Sequence, residues 1–141
     1  GTARRPYRGG GSRQTVMILD ASAVLAFLND EPGADTVADA IPGALISAAN
    51  LAEVLGKVGD WGGDIVGIEE RLRAAGLQVA PVQADDAVVV AALRQLDGGT
   101  ALSLGDRCCL VLGMRHRPAT VLTSDRAWAE LDLPIDIALI R

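Results

Sequence analysis

Short apolar runs alternate with helix-length segments along most of the chain, and the connections between them are brief. Strand-like runs occupy residues 15–19, 44–46, 77–82, 120–123 and 135–140. Helical spacing fills residues 22–28, 32–40, 48–58, 64–75, 84–96, 103–115 and 126–131. Strands joined through helices run parallel, and a parallel sheet needs cover on both faces. The pattern therefore predicts an α/β fold. Its punctuation agrees. Ser47 and Ser103 suit helix caps, and Pro32 after Asp30 and Glu31 suits a helix start. Gly59 and Gly76 are read as the stops of the 48–58 and 64–75 helices. Asp60-Trp61-Gly62-Gly63 and Asp97-Gly98-Gly99-Thr100 read as loops.

In an open parallel sheet, sites form beyond the carboxyl ends of the strands. Two runs end there in acids: Val16-Met17-Ile18-Leu19 leads to Asp20, and Thr120-Val121-Leu122-Thr123 leads to Asp125. Glu53 and Asp106 lie in helical segments that can reach the same edge. Unit charges about 4 Å apart repel by roughly 4 kcal/mol at an effective dielectric near 20. A cluster of four carboxylates calls for a cation, and hard divalent ions, Mg²⁺ or Mn²⁺, suit an all-oxygen site.

Each acid also has a plainer explanation. Asp20 can be a turn former or helix cap. Glu53 can sit on a solvated helix face, although Leu51, Ala52, Val54 and Leu55 make that helix apolar on most sides and point Glu53 inward. Asp106 follows Ser103 by three, a capping-box spacing with Asp in the place of Glu. Asp125 can cap the 126–131 helix. Asn50 stands three before Glu53 and shares its helix face.

Composition narrows the function. The 141 residues suggest one domain, over residues 15–141. Residues 1–14 read as a flexible tail or added linker, since Gly9-Gly10-Gly11-Ser12 is linker composition. The net charge is −5, and the first fourteen residues carry four arginines and no acid, leaving −9 on the rest. That balance argues against a simple nucleic-acid binding module, which leans on a basic footprint. No apolar stretch of about 18 residues free of charge appears, so no membrane span is expected. Cys108 and Cys109 are the only cysteines. Adjacent thiols rarely bridge and match no zinc spacing, which suits a reducing cytoplasm. His116, the only histidine, lies at a helix end or loop without a serine elbow, so a Ser-His-Asp mechanism is not expected.

Four segments together carry a resemblance. Met17-Ile18-Leu19-Asp20-Ala21-Ser22, Ile46-Ser47-Ala48-Ala49-Asn50-Leu51-Ala52-Glu53-Val54, Leu102-Ser103-Leu104-Gly105-Asp106-Arg107 and Leu122-Thr123-Ser124-Asp125-Arg126-Ala127-Trp128 resemble PIN-domain ribonucleases, most of all the VapC toxins of bacterial toxin–antitoxin pairs. The resemblance runs over about residues 16–141 in the family's order and spacing. It implies an α/β/α sandwich around a central parallel sheet of about five strands. It also implies that Asp20, Glu53 and Asp106 hold Mg²⁺ or Mn²⁺ and that Asp125 supports a second ion. Ser22 and Thr123 fall where the family places hydroxyls that orient the acids or a water, and Asn50 falls beside Glu53.

The activity so implied is metal-dependent endoribonuclease action, hydrolysing RNA to leave a 5′-phosphate and a 3′-hydroxyl. Arg107 and Arg126, each following a site acid, are candidate phosphate contacts. The implied partners are an RNA substrate, a cognate antitoxin and a second copy of the chain in a homodimer. The apolar helices around residues 87–93 and 108–112 are candidates for a central position or a subunit contact. Two other readings stand beside this one. A carboxylate-metal phosphatase would show a second Asp two residues after Asp20, where the chain has Ser22. A degenerate PIN module serving as a scaffold would be expected to have lost acids.

Overall fold

The chain crosses one sheet five times, always in the same direction. The computed structural model describes residues 14–141, so the expected tail lies outside the described residues except for Gln14. The strands are β1 (Val16–Leu19), β2 (Leu45–Ser47), β3 (Gln78–Ala80), β4 (Ala119–Thr123) and β5 (Asp136–Leu139). They pair in parallel in the order β3-β2-β1-β4-β5. The helices are α1 (Ala21–Leu28), α2 (Ala34–Ala40), α3 (Ala48–Asp60), α4 (Ile65–Ala74), α5 (Asp86–Ala92) and α6 (Leu104–Arg115). This is the expected α/β/α sandwich.

Alternation along the central strands builds both layers. Ile18, Val121 and Ile137 face a core of α5, α6 and Trp128. Leu19, Leu122 and Ala138 face the opposite core with α1, α2, α3 and Leu72 of α4. Each fully buried Leu, Ile or Val contributes about 1.5–3 kcal/mol relative to exposure. Helix α3 serves both layers: Leu51 and Val54 join the core with α1 and α2, and Ala49 packs on the core of α5 and α6. That position lets it meet α6 near the strand ends. The chain runs outward from β1 to β3 and returns to β4 beside β1, so β1 and β4 flank the switch point where parallel sheets place their sites.

Several boundaries differ from the sequence expectation. Helix α3 passes through Gly59 and ends at Asp60. The left-handed residue is Gly62 (φ 75). Its N–H reaches Gly59 O at 3.0 Å, and the Gly63 N–H reaches Val58 O at 2.8 Å. This pair of bonds is a Schellman closure, so the stop lies three residues later than Gly59 suggests. Helix α2 begins at Ala34 rather than Pro32, because Gly33 in the left-handed region (φ 96) takes the cap. The segment over residues 84–96 splits into α5 and a 3₁₀ turn, Leu93–Gln95. Gly99–Ala101, expected as part of a loop, forms another 3₁₀ turn, and Arg126–Glu130 is a 3₁₀ turn rather than an α-helix. Strand β3 is shorter than the apolar run over residues 77–82. Cys108 and Cys109 are free and buried, and His116 caps the end of α6. Among the described residues no helix is long and apolar enough to cross a membrane.

Candidate active site

Asp20 leaves the end of β1 and caps α1, and it is 4% exposed. Its carboxylate accepts from the Ala23 N–H at 2.8 Å and the Ser22 hydroxyl at 2.7 Å on Oδ1. The Thr123 hydroxyl donates to Oδ2 at 2.6 Å. Each hydroxyl is itself fixed from behind. The Ser124 N–H donates to Ser22 Oγ and the Asp125 N–H to Thr123 Oγ1, both at 3.0 Å. Thus the β1–α1 junction is knitted to the end of β4 around one buried acid. Burial, opposed by these hydrogen bonds and helped by the charge of Asp106, raises the Asp20 pKa from 3.8 to about 6.

Glu53 is held differently. It lies on α3 and is exposed, which corrects the expectation that it turns inward. The buried stripe of α3 is Asn50, Leu51, Val54 and Val58, and Glu53 stands at its flank. Asn50 Nδ2 donates to Glu53 Oε1 and to the Gly105 carbonyl, each at 3.0 Å. Gly105 precedes Asp106 in the first turn of α6. There Asp106 forms a complete capping box: its Oδ2 accepts from the Ser103 N–H at 2.9 Å, and Ser103 Oγ accepts from the Asp106 N–H at 3.1 Å. Beside Glu53 opens an apolar groove of about 600 Å³, lined by Val82, Ala87, Leu104, Gly105 and Cys108 among others.

Asp125 follows the end of β4, is exposed, and caps the Arg126–Glu130 turn through the Ala127 N–H at 3.0 Å. The two arginines part company. Arg107 is 8% exposed and donates to the Val90 carbonyl at 2.9 Å. It ties α6 to α5 and does not face a phosphate, which corrects the expectation for this residue. Arg126 is exposed and donates to the Arg141 carbonyl at 2.8 Å.

Capping accounts for one oxygen each of Asp20, Asp106 and Asp125 and leaves acceptor capacity on all of them. Among the described residues none of the four carboxylates is in an ion pair. The charges of Asp20, Asp106 and Glu53 all act on the fully buried Cys109 beneath them, raising its thiol pKa after the larger effect of burial. Negative charge thus gathers here uncompensated. Among the described residues no three acidic, His or Cys side chains converge as a ready-made metal cage. Magnesium does not require one. It keeps several waters and takes one or two carboxylates together with phosphate oxygens. The all-oxygen donor set therefore fits a hard divalent ion.

Gly105 escaped the sequence reading. Its signal is a poor helix former placed in the first turn of a helix, immediately before a candidate acid.

A family model described as PIN domain matches residues 17–133, a span that contains all four acids. Three solved structures share the fold. A toxin–antitoxin complex from Klebsiella pneumoniae is 19% identical, with 89% of this chain and 98% of that chain covered and a TM-score of 0.69. VapBC2 from Rickettsia felis, bound to a DNA fragment from its promoter, is 14% identical over 89% and 98% of the two chains, with a TM-score of 0.63. FitAB bound to an IR36 DNA fragment is 17% identical over 89% and 95%, with a TM-score of 0.54. No curated protein matches the sequence.

Proposed function

The chain belongs to the PIN-domain family, and from that premise we propose that it is a VapC-type toxin, a metal-dependent endoribonuclease that hydrolyses RNA phosphodiester bonds. The observation that carries this reading is Asp20, a nearly inaccessible carboxylate at the end of β1 whose ionisation Asp106 of α6 opposes, with no cationic partner among the described residues. Caps alone do not require an acid as deeply buried as Asp20.

In this reading Asp20, Glu53 and Asp106 hold Mg²⁺ or Mn²⁺, and Asp125 supports a second position. The ion supplies a water of lowered pKa and positive charge against the scissile phosphate. The protein's own groups do the positioning. Thr123 and Ser22 aim the Asp20 carboxylate, and Asn50 aims Glu53. Arg126, exposed and hydrogen-bonded to the Arg141 carbonyl, is the candidate contact for an incoming phosphate. Ser22, placed where a phosphatase would carry its second Asp, is instead a donor to Asp20, which favours the nuclease.

We further propose residues 15–141 as one functional domain, acting in the cytoplasm as a homodimer and silenced by a cognate antitoxin. The exposed apolar side chains Val82, Val88, Val89 and Leu104 offer surface for protein partners, and an acidic pocket suits a basic side chain from an inhibitor. The deciding experiment incubates purified protein with total RNA and Mg²⁺ or Mn²⁺, with and without EDTA. New 5′-phosphate ends that require the metal are expected. Full cleavage in excess EDTA, with metal removal verified, overturns the reading.

A further inference from the structure

Asn50 is 1% exposed, and both hydrogens of its amide are given away, one to Glu53 Oε1 and one to the Gly105 carbonyl. Exchanging the amide's O and N would set oxygen against two oxygens, so its orientation is fixed. The other end of the amide, Oδ1, is buried with no partner. Stability alone does not select such a group. An apolar side chain of similar volume would fill the space without a buried, unpaired carbonyl.

Gly105 supplies the second, independent observation. An ideal Cβ built there would lie 2.8 Å from Glu53 Cδ, closer than real Cβ atoms stand. The Glu53 carboxylate occupies the volume a side chain at position 105 would fill. It is therefore seated against the first turn of α6, one residue from Asp106. Nothing else among the described residues donates to it, and as an exposed Glu it would otherwise sample many rotamers.

Resting on the nuclease reading above, we propose that Asn50 and Gly105 form a clamp that fixes the Glu53 carboxylate relative to Asp106, presetting two carboxylates from different helices for one divalent ion. Asn50 is a positioning residue: it acts through Glu53. Gly105 is the gap that lets the carboxylate close. The clamp places an exposed acid of the site under the control of the α3–α6 contact.

Two variants of the full chain test it, Asn50→Leu and Gly105→Ala. Three quantities are read: Mn²⁺ affinity without RNA, thermal unfolding in EDTA, and the Mn²⁺ dependence of RNA cleavage. Gly105→Ala replaces a weak helix former with the best one, so its Tm in EDTA should equal or exceed wild type. Outer positioning groups typically set 10–100-fold in metal affinity. Both variants should therefore bind Mn²⁺ about 10–100-fold more weakly, with the half-saturating Mn²⁺ for cleavage raised in parallel. Cleavage at saturating metal should return to within several-fold of wild type. If Asn50→Leu fails to fold, Gly105→Ala still decides. Wild-type Mn²⁺ affinity in a folded variant overturns the clamp while leaving the nuclease reading standing. A wild-type protein that binds no Mn²⁺ and cleaves in EDTA overturns the nuclease reading and the clamp with it.

Discussion

Asp20 and Glu53, two of the candidate site acids, are held in opposite ways. Asp20 sits at the end of a central strand, nearly inaccessible, with three donors on its two oxygens. Glu53 sits on a helix, exposed, with one donor. The strand side is rigid because each of its hydroxyls is itself held by a backbone N–H of the next loop. The helix side depends on a contact between two helices, α3 and α6, made through Asn50 and Gly105. One flank fixes a charge at the expense of stability; the other offers a charge that costs little until something binds it.

The largest effect separates the flanks by stability rather than by activity. Asp20→Asn and Glu53→Gln should each reduce RNA cleavage by more than the roughly 10–100-fold typical of outer positioning groups. Their stabilities in EDTA should diverge. Asn caps a helix about as well as Asp and removes a buried charge, so Asp20→Asn should raise Tm. Glu53→Gln should leave Tm unchanged, since the group is exposed. Equal Tm shifts in the two variants would break the contrast, and near-normal cleavage in both would remove the site.

A pH titration sharpens the same contrast. The folded-state pKa of Asp20, about 6, lies above its ordinary 3.8. Between those values the folded protein holds a proton that the unfolded chain has released. Stability from this group therefore falls as pH rises from about 4 to about 6 and is level above. The total is about 3 kcal/mol, at 1.36 kcal/mol per pKa unit. Asp86, whose pKa the Arg115 guanidinium lowers, acts in the opposite direction. Its contribution is present above its unfolded pKa and fades as pH falls. Urea unfolding in EDTA should therefore be compared between wild type and Asp20→Asn across pH 4–7. A difference that does not change with pH would mean that Asp20 ionises freely. In wild type, cleavage should decline below about pH 6, and added Mg²⁺ should move that limb to lower pH, because metal competes with the proton.

The strand side was more legible than the helix side, for a physical reason. A strand's period of two tells which residue faces which layer, and the residue just past the strand must emerge at the edge. Leu19, Leu122 and the positions of Asp20 and Thr123 follow from that alone. A helix buries a stripe whose centre depends on what it packs against. Glu53 is flanked by apolar residues in sequence yet lies beside the stripe, and Asn50 takes the buried place. Arg107 was legible as a neighbour of Asp106 but not as a tie to α5, because that contact depends on the angle between two helices. The stop of α3 at Gly62 instead of Gly59 was hidden among the four glycines at positions 56, 59, 62 and 63.

Thr123 tests the rigid flank from behind. Thr123→Val keeps the shape and removes the hydroxyl that donates to Asp20 Oδ2 and accepts from the Asp125 N–H. Leaving a buried acceptor and a backbone donor unpaired should cost about 1–3 kcal/mol. Cleavage should drop about 10–100-fold, and its acid limb should shift to higher pH, since Asp20 loses a bond that favours its charged form. Stability loss with an unmoved pH profile would make Thr123 structural only.

The smallest effect belongs to Asp125. It is exposed, its Oδ1 caps the Arg126–Glu130 turn, and it belongs to the rigid flank only through its N–H on Thr123. As a support for a second ion it should be partly dispensable, because one ion still activates water. Asp125→Asn should then lower cleavage several-fold less than Asp20→Asn and raise the Mg²⁺ concentration for half-maximal rate. As a cap alone it should be silent, because Asn caps about as well as Asp. Parallel Mg²⁺ titrations of wild type, Asp20→Asn and Asp125→Asn separate the two. An unchanged curve for Asp125→Asn would leave the site as three carboxylates. A shifted curve at unchanged Tm would extend the rigid flank by one acid and place the second ion on the β4 side, away from the clamp on Glu53.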